Sequence, residues 1–347
     1  MSAAPLTNPL LTGRVTFRQT LFVCAVLSFA VLTAVFLMSL IGSEQLPIGP
    51  SLCALVSGGQ NPCGLTAEQF SILFQIRLPR ILLAATVGAS LAAAGASYQA
   101  LLRNPLAEPY LLGVSNGAAV GTMIALVFLG SWELSRPLLA FSGALAATLV
   151  VYRLASGRAG ATPERLILAG VIVTTFLSSV IVFVTTLLDA TRIRSFTFWL
   201  LGDLSGASVS LLTVAIAIAL AGTAVLALHA RSLNLLMLGE RDAFDLGVEV
   251  SRVRVMVFLA AGLLVGSSVA SSGSVGYVGL VVPHLVRLSL GSDNRMTIPA
   301  AALGGALFVI VADTVARTII APRELPVGAI TALVGAPLFI YLLRRGR

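Results

Sequence analysis

Lysine is missing from this chain, and its absence removes several kinds of chemistry. All 22 residues counted as lysine or arginine are arginine. A nucleotide-binding P-loop has the pattern GxxxxGK[ST] and uses its lysine to reach the phosphates, while Schiff-base and PLP chemistry needs the lysine amine. The sequence therefore excludes these functions for this chain. Any ATP hydrolysis linked to it belongs to another polypeptide.

Charge of either sign is also scarce. Charged residues make up 10% of the chain, against about 25% in an average soluble domain. Hydrophobic residues make up 57%, and the mean hydropathy is +1.00. A helix needs roughly 20 mostly apolar residues to cross a bilayer. About ten runs approach this length: 21–41, 80–101, 111–130, 137–153, 165–188, 208–228, 253–271, 275–290, 297–316 and 326–343.

These runs predict the fold class and the orientation. We predict an all-α polytopic membrane protein in which residues 1–347 form one transmembrane domain of about ten helices. With the N-terminus in the cytoplasm, 15 arginines fall in cytoplasmic segments and seven fall outside, as the positive-inside rule requires. Both termini are therefore expected in the cytoplasm, with residues 1–20 as an N-terminal tail. The excess of arginine in cytoplasmic segments also explains the net charge of +8, so this charge does not indicate a nucleic-acid partner.

The first apolar run is expected to stay in the mature protein. Run 21–41 is longer than the roughly 7–15 residue core of a signal peptide. No cleavage site of the small-x-small type follows it closely. We therefore interpret it as the first span.

One gap between the apolar runs is far more polar than the others. Residues 229–254, HARSLNLLMLGERDAFDLGVEVSRVR, mix both signs of charge with leucine and phenylalanine. In the ten-span arrangement this loop is cytoplasmic. A membrane protein that keeps a single large polar loop commonly uses it to contact a soluble partner, so we predict a docking loop here.

Cysteine is rare, with three residues in the whole chain. Cys24 lies in the first apolar run, where packing is its simplest role. Cys53 and Cys63 share the outer segment SLCALVSGGQNPCG, and an oxidising compartment permits a disulfide there. The sequence does not fix their separation in space, so a structural disulfide and two free thiols both stay open.

Few ionisable residues fall within or next to the apolar runs. Asp313 and Asp203 lie near outer ends, and His284 and His229 lie near inner ends. We interpret all four as interfacial or helix-capping residues. No HExxH motif, paired carboxylates or Cys/His cluster with metal spacing occurs, so we predict no catalytic residue and no metal site. An ion-coupled secondary transporter stays open as an alternative, with Asp313 as its candidate coupling carboxylate.

Two long stretches resemble a known family. They are RLPRILLAATVGASLAAAGASYQALLRNPLAEPYLLGVSNGAAVG at 77–121 and the stretch from GSVGYVGLVVPH to the last helix at 273–345, with LNLLMLGERDAFDLGV between them. Together they resemble the permease subunits of ABC importers for iron chelates (siderophores and haem) and for cobalamin. We expect this chain to be no enzyme and to bind no cofactor itself. Lipid of a bacterial inner membrane is expected to surround it.

The resemblance also implies partners. Two copies of a soluble ATPase subunit would hold ATP and Mg beneath the permease. A periplasmic substrate-binding protein would dock above it. A second permease copy would complete the pathway, with a homodimer favoured over a pair of homologues.

The resemblance assigns roles to three groups of residues. The ATPase-coupling group is Gly239, Glu240, Arg241, Asp242, Ala243, Leu246 and Gly247, with Leu238 and Phe244 as further apolar anchors. The docking group, whose planar guanidinium groups suit carboxylates of the binding protein, is Arg77, Arg80 and Arg317. The cytoplasmic gate group is Asn104, Leu106, Pro163 and Glu164. The alternatives are a solvated loop, headgroup anchoring and an ordinary polar turn, respectively.

The implied function is import of an iron chelate, a siderophore or haem, from periplasm to cytoplasm by alternating access. A cobalamin importer is the alternative within the family. Pro163 and Glu164 stand where small hydroxyl residues are expected in the cobalamin permease, which favours an iron chelate. The outer residues Arg192 and Arg194 either help an acidic ligand to enter or contact the binding protein.

Overall fold

The computed structural model describes residues 15–60, 64–129, 134–157 and 160–345. Within these ranges the regular structure is helical, apart from one small antiparallel ladder in which β1 (Ser156–Gly157) pairs with β2 (Gly160–Ala161). The all-α membrane architecture is confirmed. Only part of the predicted N-terminal tail, from residue 15 onwards, lies within the described residues.

Helices occupy the positions of all ten predicted runs. Among the described residues, seven helices are long and apolar enough to cross a membrane, and three shorter apolar helices lie in runs 111–130, 275–290 and 326–343. The number of spans and the side on which the termini lie stay predictions. The helices that match the runs are α1 (Phe17–Leu40), α4 (Leu78–Leu101), α5 (Val114–Phe128), α6 (Ser135–Ala155), α7 (Pro163–Thr185), α9 (Val209–Leu228), α12 (Val250–Ser272), α13 (Val278–Leu290), α14 (Asn294–Thr318) and α15 (Val327–Arg345).

Shorter helices connect these elements. A π-helical segment, Ile72–Arg77, joins the short outer helix α3 directly to α4, and Pro109–Leu112 forms a 3₁₀ turn before α5. The short α-helices are α2 (Ile48–Val56), α3 (Ala67–Ser71), α8 (Ala190–Leu200), α10 (Ala230–Leu238) and α11 (Glu240–Asp245).

Polar residues ahead of several helices explain where those helices begin. Thr16 forms a capping box with Gln19 at the start of α1, and the Thr162 hydroxyl accepts the Arg165 N–H at the start of α7. Ser208 caps α9 in the same way. Each side-chain oxygen satisfies a backbone N–H group that has no partner within its own helix.

Helices α4, α12 and α14 form the buried centre of the protein. In the most apolar window of residues 67–101, 78% of the residues are buried, against 6% in α1. Gly88 and Gly305 bring α4 and α14 together, because a Cβ at Gly88 would lie 2.1 Å from the Gly305 carbonyl oxygen. Lipid is as apolar as leucine, so helices in a bilayer associate through close packing of small residues of this kind.

Two helices are shorter than the apolar runs that contain them. Helix α5 begins at Val114 because the 3₁₀ turn ends at Gly113, which has a φ of 79°. Helix α13 begins at Val278 because Tyr277 has a left-handed φ of 66°. Residues 102–113, apart from the 3₁₀ turn, and residues 273–277 are therefore irregular, although the runs 111–130 and 275–290 suggested that α-helix would already begin at 111 and 275.

Tertiary hydrogen bonds satisfy this irregular backbone. The Tyr110 hydroxyl donates to the Val275 carbonyl (2.8 Å) and accepts from the Val275 N–H (2.9 Å). The Glu108 carboxylate accepts the N–H of Tyr277 (3.0 Å). Irregular backbone is tolerated in membrane proteins where other protein groups bond to it in this way.

The cysteines separate into two kinds. Cys24 is a free thiol in α1, and Cys53 in α2 is disulfide-bonded. Cys63, the other residue of the possible outer disulfide, lies outside the described residues.

Candidate functional site

The polar segment 229–254 folds into two short helices that form a compact unit. Helices α10 and α11 meet at Gly239, which has a φ of 152°. Helix α11 ends in a Schellman motif: the Val248 N–H donates to the Ala243 carbonyl and the Gly247 N–H donates to the Phe244 carbonyl, both at 2.9 Å. The motif needs a left-handed residue after the helix, and Gly247 supplies it with a φ of 85°. The two predicted glycines therefore fix the ends of α11.

One face of this unit is packed and the other is exposed. Ala243 is buried against the protein, whereas the Phe244 side chain is 71% exposed. Contiguous exposed apolar side chains with charged neighbours are typical of a protein-binding surface. We call the exposed set the α11 surface; it consists of Leu238, Arg241, Asp242, Phe244, Asp245 and Leu246.

A partly buried polar cluster holds α10 in place. The Asn234 side-chain amide donates to Asp293 Oδ1 (2.7 Å), and its oxygen accepts from both the backbone and the side-chain nitrogens of Asn294 (2.9 Å each). Partial burial raises the pKa of the Asp293 carboxyl, but hydrogen bonds from Arg295 and Asn234 outweigh this and hold the pKa below its ordinary value. The cluster ties α10 to the N-terminus of α14. The cluster was not predicted from the sequence. Local sequence can indicate Asp293 as a helix N-cap, but it cannot indicate the contact with Asn234.

Glu240 differs from its neighbours on α11 because its carboxylate pairs with two arginines of other elements, while its side chain stays 36% exposed. Its carboxylate lies 2.6 Å from Arg254 Nη2 on α12 and 3.6 Å from Arg103 Nη2 on the loop after α4. Arg254 is almost completely buried. The structure thus brings a residue of the coupling group together with two arginines that were not assigned to any site.

The predicted gate residues lie around the same ion pairs. Asn104 follows Arg103, and its side-chain oxygen accepts the N–H of Leu106 (2.9 Å), which leaves Leu106 half-exposed. Pro163 is buried at the first position of α7. Glu164 next to it is exposed and interacts electrostatically with Arg103 and Arg254. The two gate segments are therefore neighbours in space, and their role as a gate stays a prediction.

On the opposite side of the membrane helices, Arg80 and Arg317 share one buried carboxylate. Arg80 Nη2 lies 3.0 Å from Asp313 Oδ1, and Arg317 Nε lies 3.1 Å from Asp313 Oδ2. The Asp313 side chain is 0% exposed and lies inside α14, so the interpretation of Asp313 as a helix-capping residue is wrong, and its position at the membrane interface stays a prediction. Glu324 is the exposed member of the cluster, 2.7 Å from Arg80 Nη1. We call these four residues the outer ion cluster.

Arg77 has a different environment. Its guanidinium donates to the carbonyl oxygens of Ser39, Leu40 and Glu44, at and just beyond the end of α1. Cationic side chains commonly satisfy the last carbonyl groups of a helix in this way. All three arginines of the docking group are therefore buried within the chain, and their contact with a binding protein stays a prediction.

The model of the FecCD transport family matches residues 26–345. The chain belongs to the FecCD transport family. A hemin transport system permease of Yersinia pestis is 42% identical over 284 residues, covering 80% of this chain and 84% of that protein.

Other relatives carry different ligand names. A cobalamin import permease of Halobacterium salinarum is 44% identical, covering 79% of this chain and 73% of that protein. A vitamin B12 import permease of Vibrio cholerae is 43% identical, covering 79% of this chain and 83% of that protein. A metal-chelate type ABC transporter solved in an inward-facing conformation has a TM-score of 0.80 and 30% identity, covering 94% of this chain and 99% of that chain.

These findings confirm the resemblance seen in the sequence. As a FecCD-family member, the chain is a multi-pass membrane permease of the ABC type, which is a transport subunit. The family places the α11 surface and the outer ion cluster in a transporter. The ligand is not fixed by these relatives, because their names divide between hemin and cobalamin.

Proposed function

We propose that this chain is the membrane-spanning subunit of an ATP-driven importer that carries an iron chelate, a siderophore or haem, from periplasm to cytoplasm. The observation that carries the proposal is the α11 surface in a FecCD-family permease. It places an exposed apolar residue, Phe244, beside charged neighbours on a short helix with fixed ends. Such a surface suits a soluble protein partner, and the absence of lysine means that ATP binds to another chain.

The proposed partner at the α11 surface is a soluble ATPase, present in two copies that hold ATP and Mg. Leu238, Phe244 and Leu246 provide the apolar contacts, while Arg241 and Asp242 fix the orientation at the rim. Closure of the ATPases on ATP would move α11 and favour one of two permease conformations through its differential affinity for them.

The proposed partner at the outer ion cluster is a periplasmic binding protein. Glu324 is the exposed group that occupies the outward nitrogen of Arg80. A carboxylate of the binding protein would compete with Glu324 for this nitrogen, while Asp313 keeps the other side of Arg80 neutralised. Docking would therefore exchange one carboxylate for another rather than expose a buried cation.

The second permease copy is proposed to be identical to this chain, in the inner membrane of a bacterium. Helix α7 is long and apolar, and 17% of its most apolar window is buried within the chain. Phe176 and Phe183 on this helix are exposed on the surface of the chain, where a second copy or lipid can contact them. The central pathway would then lie between the two copies.

A cobalamin ligand is the second candidate. It is favoured by the names of relatives that are 43–44% identical to this chain. Pro163 and Glu164, which begin α7, are the residues that favour an iron chelate. Ion coupling through Asp313 is disfavoured, because protonation of its carboxylate would leave the buried Arg317 without a counter-ion and Arg80 with only the exposed Glu324.

Uptake in cells that lack this gene identifies the ligand. Labelled ferric siderophore, haem and cobalamin are supplied side by side, and we expect uptake of one iron chelate to fall to background and to return with the intact gene. Loss of cobalamin uptake alone would replace the iron chelate by the second candidate. Unchanged uptake of all three, in a strain without a second importer, would contradict the proposed function.

A further inference from the structure

A single stretch of chain connects the coupling helix with the interior of the permease. Residues 102–113 leave the end of α4 next to α11, and they reach the start of α13 before α5 begins. We call these residues the strap. One end of the strap contacts α11, and the other end contacts the residues just before α13. Both contacts join residues that are more than 100 positions apart in the sequence.

The inner end of the strap contacts α11 through a half-exposed ion pair between Arg103 and Glu240. Arg103, at the start of the strap, has a left-handed φ of 50° that is uncommon for a residue with a side chain. This conformation accompanies the 3.6 Å approach of its guanidinium to Glu240. The stronger contact of Glu240, 2.6 Å to the buried Arg254, fixes the carboxylate on α12. Glu240 therefore bonds α11 to both the strap and α12.

The deep end of the strap is bonded to the break before α13. Glu108 accepts the N–H of Tyr277, the residue just before α13, and the Tyr110 hydroxyl bonds both backbone groups of Val275. Tyr277 in turn packs against α15, since a Cβ at Gly335 would lie 2.6 Å from the Tyr277 Cβ. Movement of the strap at this end reaches two membrane helices.

The strap itself has little slack. The Asn104 side chain bonds Leu106, and the Asn104 carbonyl accepts the N–H of Ala107 (3.0 Å), which closes a tight turn. Pro105 and Pro109 each fix one backbone dihedral. A stretch that is bonded at both ends and stiff between them transmits displacement rather than absorbing it.

We propose that Glu240 is a positioning residue that transmits the movement of α11 through Arg103 and the strap to the start of α13. This inference rests on the proposed function, because it assumes that an ATPase moves α11. It changes the expectation from the family resemblance, in which Glu240 contacts the ATPase directly. The ATPase then binds to the exposed residues of the α11 surface, and Glu240 carries the movement inwards.

A labelling experiment tests the proposal without knowledge of the ligand. Leu106→Cys, half-exposed on the strap, reports its position through the rate of reaction with a maleimide in a Cys24→Ser background. The permease is reconstituted with its ATPase in lipid nanodiscs and labelled with and without ATP and vanadate. We expect trapping to change the labelling rate of the cysteine at position 106 relative to the protein without ATP.

Three further variants make the test specific. Glu240→Gln and Arg103→Gln are both expected to abolish the ATP-dependent change in labelling while the ATPase still co-purifies. Arg103→Gln leaves the Glu240–Arg254 pair intact, so its effect cannot be attributed to an unpaired buried arginine. Glu249→Gln is the matched control: it removes a glutamate that also lies 3.6 Å from an arginine, Arg252, but this pair is exposed on one helix end. It is expected to keep the full change.

The outcomes separate the inference from the proposed function. A full change in labelling for Glu240→Gln and Arg103→Gln would overturn the strap and leave the importer intact. Loss of ATPase co-purification in Glu240→Gln, but not in Arg103→Gln, would restore Glu240 as a direct ATPase contact and also overturn the inference. No ATP-dependent change in the reference protein would contradict the proposed function, and the inference with it.

Discussion

Replacement of Phe244 by alanine is expected to weaken ATPase binding by about thirtyfold or more, the loss typical of a central aromatic contact of 2 kcal/mol or more. The Phe244 side chain is 71% exposed, so its removal leaves no cavity in the permease. The stability of the permease itself should therefore be unchanged. Affinity of the purified permease for its ATPase in nanodiscs measures the effect, and thermal unfolding in detergent checks the fold.

The chain offers a matched control for this substitution. Phe29 on α1 is 73% exposed, but it lies on a peripheral membrane helix rather than on the α11 surface. Phe29→Ala removes the same side chain with the same exposure and should leave ATPase affinity unchanged. Equal affinities for Phe244→Ala and Phe29→Ala would show that the α11 surface is not the ATPase contact.

Replacement of Asp313 by alanine is expected to lower the free energy of unfolding by about 3–5 kcal/mol, the usual cost of leaving buried charges without their partner. Arg80 and Arg317 are both nearly completely buried and both bind this carboxylate. Their charges would remain in a region of low polarity with only Glu324 nearby. The variant should accumulate poorly in membranes, and its thermal unfolding in detergent should occur at lower temperature.

Two companion variants separate charge balance from simple loss of contacts. Glu324→Gln removes the exposed partner of Arg80 and should cost less than about 1 kcal/mol, because solvent screens exposed ion pairs. A combined replacement of Asp313 by leucine with Arg80 and Arg317 by methionine should recover most of the lost stability, because no buried charge is left unpaired. A single variant Asp313→Ala as stable as the parent would contradict the assignment of the cluster as a buried ion pair network.

Much of the fold could be predicted from the sequence because apolar runs of membrane length are long, local signals. All ten runs contain a helix. The two breaks before α5 and α13 could not be predicted in the same way. They depend on hydrogen bonds from Tyr110 and Glu108 to residues about 165 positions away, and no local periodicity records such bonds.

In the candidate site, too, local features could be predicted from the sequence and long-range contacts could not. Glycines at 239 and 247 mark the ends of α11 in the sequence, so the coupling segment could be located with its limits. The orientation of Glu240 could not be predicted, because Arg103 and Arg254 approach it from separate elements. For the docking group, a count of arginines on each side gives the side of the membrane but not the depth of burial. The burial of Arg80 and Arg317 follows from Asp313, whose role depends on the packing of α4 against α14.

The most direct test of the account is ligand accumulation in proteoliposomes that contain the permease, its ATPase and its binding protein. The account predicts that accumulation requires ATP and the ATPase subunits and is unaffected when proton and sodium gradients are collapsed. Accumulation by the permease alone, driven by an ion gradient and lost in Asp313→Asn, would contradict it.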